Sequence, residues 1–146
     1  MAGWKWYTDA ACTQEFGGTL TLVHLADLSD NPQDDILYYA NVDDDPGDNQ
    51  VYQQQALSNP GTDEITVSVV DNDVGSGHEA SEVTLGLTSA ALDTNTAGAS
   101  LELGATLLSG VSEAVAVHVR VENAVTSVGT STELQLSITA TVDSEV

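Results

Sequence analysis

Three carboxylates in the middle of the chain have the spacing of a calcium-binding loop. Asp71, Asp73 and Glu82 occupy positions one, three and twelve of that pattern, in which oxygen ligands surround a hard cation. Two features depart from it, because Gly75 falls at position five instead of six and the flanking residues alternate as strands do. The pattern therefore favours a glycine-rich turn with surface acids, and a bound cation is the alternative.

A second acidic group could collect calcium or magnesium through its carboxylate oxygens. It consists of Asp43, Asp44, Asp45 and Asp48, with no basic residue among them. Its spacing matches no known ligand loop. We therefore expect a solvated acidic loop here, with a cation site as the alternative.

Histidine and cysteine supply every ligand type that zinc prefers. The residues are Cys12, His24, His78 and His118, and none of them shows the close paired spacing of a structural zinc site. We expect His24 and His118 to be surface or half-buried residues of strands. The single cysteine cannot form a disulfide within the chain.

Nucleophilic catalysis has one candidate segment, in which Ser76, His78 and Glu79 lie close together in sequence. Catalytic triads are usually assembled from distant segments, and the Gly-x-Ser-x-Gly elbow is missing. The segment is therefore predicted to be a turn. A small hydrolase that uses two carboxylates remains an alternative. We expect a protein that is not an enzyme, with no catalytic residues, cofactor or metal.

The charge of the chain indicates where it works. Lys5 and Arg120 are the only basic residues among 146, against 23 acidic ones, for a formal net charge of -21. Such a charge weakens the compact state in dilute buffer, whereas ~1 M salt shortens the Debye length to ~3 Å. The composition is typical of a halophilic protein. It excludes nucleic acid and anionic membranes as partners, and Arg120 is expected to have a carboxylate partner.

The first residues lack the basic segment and apolar core of a secretory signal, and no run of 18 apolar residues follows. We therefore expect synthesis in the cytoplasm, with export only as part of an assembled particle.

Apolar residues recur with period two, the period of half-buried strands. The rows are Ile65, Val67 and Val69; Val83, Leu85 and Leu87; Val115, Val117, Val119 and Val121; and Leu134, Leu136, Ile138, Ala140 and Val142. Further strands are predicted at residues 4–7, 20–25, 36–39, 51–57 and 101–107, and one helical turn at residues 89–93. Glycine and proline turns separate them. The pattern predicts an all-β protein of eight or nine short strands in a single antiparallel β-sandwich or jelly roll. Residues 1–146 would form one domain with an acidic loop region around 27–48.

Two aromatic residues near the start, Trp4 and Trp6, lie on one face of a predicted strand. Aromatic side chains are enriched at interface cores, so these two could anchor a partner subunit. The alternative is that they close one end of the core. The sequence slightly favours the contact.

Both ends of the chain resemble small β-rich proteins of tailed viruses. Residues 4–13 (WKWYTDAACT) resemble the aromatic start of such proteins. Residues 116–123 (AVHVRVEN), followed by Gly129-Thr130 and by residues 134–138 (LQLSI), resemble their paired final strands. With the acidic bias, the chain is most similar to a structural protein of a phage-like virus that infects halophilic archaea. The resemblance implies an architecture and a structural role, and no catalytic residues.

The expected function is that of a virion structural protein. It would assemble in multiple copies, as a homo-oligomer with other virion proteins, on the capsid exterior as a decoration or turret. One alternative is a tail or baseplate protein of the same kind of virus. Another is a carbohydrate- or calcium-binding β-sandwich adhesion module of a halophile.

Overall fold

The protein is all-β in its computed structural model, which describes residues 3–17, 19–24, 32–42, 51–75, 78–122 and 129–146. For residues 19–24 and 129–133 only the backbone is described. Twelve strands and three 3-10 helical turns lie in these ranges. The predicted all-β class is therefore confirmed, with more strands than the eight or nine expected.

The strands follow the period-two rows closely. They are β1 (Trp4–Tyr7), β2 (Glu15–Phe16), β3 (Thr19–His24), β4 (Gln33–Asn41), β5 (Tyr52–Ala56), β6 (Ile65–Asp71), β7 (Val83–Gly86), β8 (Leu101–Gly104), β9 (Thr106–Leu108), β10 (Val115–Val121), β11 (Gly129–Ile138) and β12 (Thr141–Glu145). The 3-10 turns are Ala80–Glu82, Ala90–Asp93 and Val111–Glu113. The second of these confirms the helical turn predicted at residues 89–93.

The strands form three antiparallel sheets. The five-stranded sheet has the order β2-β1-β4-β10-β7, and the four-stranded sheet has the order β3-β11-β6-β8. The three-stranded sheet has the order β12-β5-β9. Neighbours in these orders are mostly distant in sequence, so the fold depends on non-local pairing.

The three-stranded sheet continues the four-stranded sheet around a corner. β11 runs into β12 through two residues, and β8 runs into β9 through Ala105. β6 lies between β11 and β8 in the four-stranded sheet, and β5 lies between β12 and β9 in the three-stranded sheet. Residues 57–64 join β5 to β6. At the corner, the Thr139 amide donates to the Thr66 carbonyl and the Leu57 amide donates to the Ala140 carbonyl. The same segments therefore pair on both sides of the bend.

One apolar cluster unites all three sheets. Val117 and Val119 of β10 pack with Ile65, Val67 and Leu134 of the four-stranded sheet. Ala56 and Leu107 of the three-stranded sheet belong to the same cluster. A smaller cluster of Tyr7, Cys12 and Ala40 forms separately. The predicted burial of the β10 valines is confirmed, since Val117, Val119 and Val121 are buried.

Two of the predicted rows of buried apolar residues end earlier in the structure than the sequence predicted. Leu87 is 45% exposed, because β7 ends at Gly86 and the chain turns away there. Ala140 and Val142 do not continue the buried row of Leu134 and Leu136, since both are exposed. The bend at residues 139–140 separates β12 from β11, so the face that carries Val142 no longer points to the core. The prediction of one continuous strand with one buried face was wrong here.

The acidic region around 27–48 is not a loop throughout. Residues 33–41 form β4, in the middle of the five-stranded sheet, and Asp34 and Asp35 are exposed side chains of that strand. They lie before the buried part of β4, which begins at Leu37. Asp27, Asp30 and the predicted cation loop of Asp43, Asp44, Asp45 and Asp48 lie outside the described residues.

The outer edge of β7 is covered by the chain that follows it. The Gly98 amide donates to the Val83 carbonyl at 2.8 Å, and the Asn95 Nδ2 amide donates to the Leu85 carbonyl at 2.8 Å. Gly98 has φ +83, and a Cβ there would lie 3.3 Å from Ser81 Cα. Glycine therefore lets the segment close over the edge without the strain that a side chain would bring at this position.

None of the three helical turns in the described ranges has the length or the apolar character that crossing a membrane requires.

Candidate functional site

The turn after β6 brings carboxylates together, but not the three that the calcium spacing selected. The Asp71 Oδ1 carboxylate oxygen accepts from the Asp73 amide at 2.9 Å, which closes a tight turn. Glu82 ends the first 3-10 turn, and its Oε2 accepts from the Glu79 amide. Within the described part of the chain, no three acidic, histidine or cysteine residues form a group that could hold a metal ion.

The carboxyl group of Glu79 bonds to the backbone of this turn. Its Oε1 accepts from the Gly75 amide at 2.8 Å. Burial of the carboxyl, reinforced by the neighbouring Asp71 and Glu82 carboxylates, raises the pKa of Glu79 above its usual value. Glu79 and Glu82 also cap the 3-10 turn reciprocally, a pairing that their spacing of three could have signalled. This cluster can bind a proton more tightly than a free glutamate does.

His78 lies at the inner side of this turn and is 1% exposed. Its Nδ1 is 3.6 Å from Glu82 Oε1. His78 is therefore a buried residue that lies beside the Glu82 carboxylate, which caps the 3-10 turn. The predicted triad segment is only partly described, because Ser76 lies outside the described residues.

The potential zinc ligands are not brought together in the described part of the chain. Cys12 is buried in the smaller cluster with Tyr7 and Ala40, and burial raises the pKa of its thiol. His118 lies half-buried on β10, as expected for a strand residue. The side chain of His24 lies outside the described residues.

Arg120 holds two strands and a helical turn together. Its Nε and Nη2 donate to Asp34 Oδ1 and Oδ2 at 2.8 and 3.0 Å, in a bidentate pair across β10 and β4. Its Nη1 donates to Asp93 Oδ1 at 2.7 Å. These bonds lower the pKa of Asp34 and raise that of Arg120. The prediction of a carboxylate partner is confirmed within the subunit.

The other cation makes a looser contact. Lys5 Nζ is 3.4 Å from Glu15 Oε2, and the two side chains are 44% and 59% exposed. An exposed pair of this kind contributes little to stability. Arg120 is therefore the more firmly anchored of the two cations, since its guanidinium makes three hydrogen bonds of 2.7–3.0 Å.

Trp4 and Trp6 pack on one tyrosine of β4. Their ring centroids lie 5.5 and 4.9 Å from that of Tyr39. Trp6 is buried in the main cluster and Trp4 packs partly buried against it. The interpretation of these residues as an anchor for a partner was wrong for Trp6, because its side chain is used inside the subunit.

A buried polar bond lies beside these rings. The Tyr39 hydroxyl donates to Gln54 Oε1 at 2.8 Å, and both residues are less than 5% exposed. Burial raises the pKa of Tyr39 to about 12. Because Tyr39 belongs to the five-stranded sheet and Gln54 to the three-stranded sheet, the bond ties the two sheets together.

An open cleft of about 450 Å³ lies where β6, β7 and β8 approach each other. Leu85 and Leu101 contribute its apolar wall, and Thr66, Asn95 and Glu102 contribute its polar rim. Asn95 is engaged with the Leu85 carbonyl. No sequence signal pointed to this cleft, because its residues come from three separate segments.

The chain matches no family model, no curated protein and no solved structure at a significant level.

Proposed function

We propose that this chain is a non-enzymatic structural protein of a tailed virus of halophilic archaea. It assembles in multiple copies on the capsid exterior, as a decoration or turret protein, and contacts other virion proteins. Its fold is a single antiparallel β-sandwich, in which the five-stranded sheet packs on the bent pair of sheets. The shared apolar cluster of all three sheets supports this packing.

The observation that carries the proposal is the separation of charge from the core. None of the described Asp and Glu residues is buried, and the buried polar residues are Asn41, Gln54, His78, Thr84 and Ser109. The acidic side chains that the structure describes therefore lie at or near a surface that needs dissolved ions to screen it. The virion role itself is supported by the resemblance of both chain ends to tailed-virus proteins.

Immunogold labelling of virions purified from an infected haloarchaeal culture, kept in molar salt, tests the proposal. We expect the label on the capsid surface and the protein in the washed particles. Label confined to the tail would replace the capsid assignment with the tail or baseplate alternative. Absence of the protein from washed particles would refute the virion role.

The cleft beside Glu102 is the observation that favours the adhesion-module alternative. Its leucine wall and hydroxyl-bearing rim suit a sugar ring, which presents an apolar face and hydroxyl edges. A glycan array probed in molar salt distinguishes the two functions. Saturable glycan binding that Thr66→Ala weakens would favour the adhesion module over the structural role.

A further inference from the structure

The three-stranded sheet has one face on the core and one face in solvent. Gln54 and Leu107 are paired across strands and both are buried, so they mark the inner face. Directly opposed residues of antiparallel strands share a face, and alternate residues change face. Gln53, Gln55, Val142 and their partners therefore lie on the outer face.

This outer face extends one pair beyond the strands at each end. The Leu57 amide bonds to the Ala140 carbonyl, and the Val146 amide bonds to the Val51 carbonyl, both in the register of β5 and β12. The face then consists of ten residues, and we name it the uncharged face: Val51, Gln53, Gln55, Leu57, Thr106, Leu108, Ala140, Val142, Ser144 and Val146.

None of the ten side chains carries a charge, although the chain has a net charge of -21. Two cross-strand bonds stiffen the centre, where Gln53 Nε2 donates to Ser144 Oγ and Gln55 Nε2 donates to Thr106 Oγ1. The acids of β12, Asp143 and Glu145, pair with the inner-face residues Gln54 and Tyr52. The register therefore keeps every carboxylate of these strands off the uncharged face.

Exposed apolar side chains concentrate on the same surface. Five of the nine large apolar residues that are exposed in the described ranges belong to it: Val51, Leu57, Leu108, Val142 and Val146. Leu57 is 59% exposed and Val146 is 69% exposed. Grouped exposed apolar residues mark interaction surfaces, whereas isolated ones do not.

We propose that the uncharged face is the surface through which two copies of this chain stack, face to face. The lack of charged side chains on this face favours a second copy over a charged partner. A basic partner finds no carboxylate among the ten side chains of this face, and an acidic partner would have to desolvate its own charges against valine and leucine. A second copy presents an equally neutral surface, and a two-fold interface joins the same patch of both copies.

The dimensions of the face set the strength of the contact. Two strands of about seven residues and a third of three residues, ~4.8 Å apart, cover roughly 270 Å² per copy. That is less than the ~800 Å² per partner of a standard stable complex. Stacking is therefore weak between free molecules and gains strength at the high local concentration of an assembled particle. Because both copies are anionic, it also strengthens as salt rises.

This inference rests on the proposed function, since it names the surface through which copies assemble. Sedimentation equilibrium of the full chain in molar and in saturating salt tests it. Val142→Asp adds one charge to the face, and Val74→Asp adds the same charge to the turn after β6, where Val74 is 80% exposed. We expect Val142→Asp to lower the self-association constant by about tenfold or more, and Val74→Asp to leave it close to wild type.

Ser144→Asp provides a second variant in case Val142→Asp fails to fold, because Ser144 is exposed near the middle of the face. Far-UV circular dichroism checks each fold. Association of both charged variants at the wild-type strength would overturn the stacking surface while leaving self-assembly intact. A wild-type chain that stays monomeric at every concentration and salt would overturn the surface and count against the assembly role as well.

Discussion

The buried bond between Tyr39 and Gln54 gives a quantitative test of how the sheets are joined. Tyr39→Phe removes the hydroxyl that donates to Gln54 Oε1 at 2.8 Å and leaves that oxygen in a site where Gln54 is 3% exposed. A buried acceptor that loses its donor costs about 1–3 kcal/mol. For a domain of this size, we expect a fall in the melting temperature of roughly 2–12 °C.

A double-mutant cycle assigns the effect to the bond. Gln54→Met removes the acceptor, and replacing both partners with apolar groups leaves no orphaned oxygen, so the double variant should lose less than the sum of the single variants. We expect a coupling of about 1 kcal/mol, measured by thermal or chemical unfolding in molar salt. Tyr38→Phe is the control, because Tyr38 is the adjacent residue and packs in the smaller cluster. Strict additivity, or an equal effect of Tyr38→Phe, would contradict this account of the sheet contact.

Three further predictions concern charge. Arg120→Gln should lower the melting temperature, because Asp34 and Asp93 then lie close together without the cation that they share. The decrease should be larger in dilute salt. Lys5→Gln is the control and should change the melting temperature little. Glu79→Gln should raise the melting temperature at pH 7 and flatten its pH dependence. Because the pKa of Glu79 is raised, the folded protein binds this proton more tightly than the unfolded chain does. Proton binding therefore stabilises the fold fully below pH 4.5, the ordinary pKa of the group, and this stabilisation is lost as the pH rises through the folded-state pKa. Glu102→Gln on β8 is the control for thermal melts across this range. The wild-type protein should lose cooperative structure below about 0.5 M salt, where its surface charges are poorly screened. Circular dichroism measures this, and a thermal melt that is unchanged in dilute buffer would contradict the prediction.

The period-two rows predicted most of the strands but not their arrangement. Val117, Val119 and Val121 are buried as predicted, because burial of alternate residues depends only on local geometry. The bend at residues 139–140 was missed, since Ala140 and Val142 continue the alternation and only pairing with β5, far away in sequence, shows that they face outward. β2 was missed because it has two residues.

The candidate sites show the same limit. The sequence predicted that Arg120 needs a carboxylate, but not which one, because Asp34 and Asp93 are 86 and 27 residues away. The calcium spacing selected Asp73, whereas the folded turn sets Asp71 beside Glu79. The uncharged face was invisible in the sequence, since it depends on the register of three separate segments.

The closure of β7 by Asn95 and Gly98 has a consequence for aggregation in concentrated salt. An open strand edge is a template for adding further strands, and salts that are excluded from protein surfaces strengthen such association. With the carbonyls of Val83 and Leu85 already occupied, ribbon-like growth cannot start there. At this edge of the five-stranded sheet the molecule is therefore protected from the strand addition that drives sheet proteins into fibres.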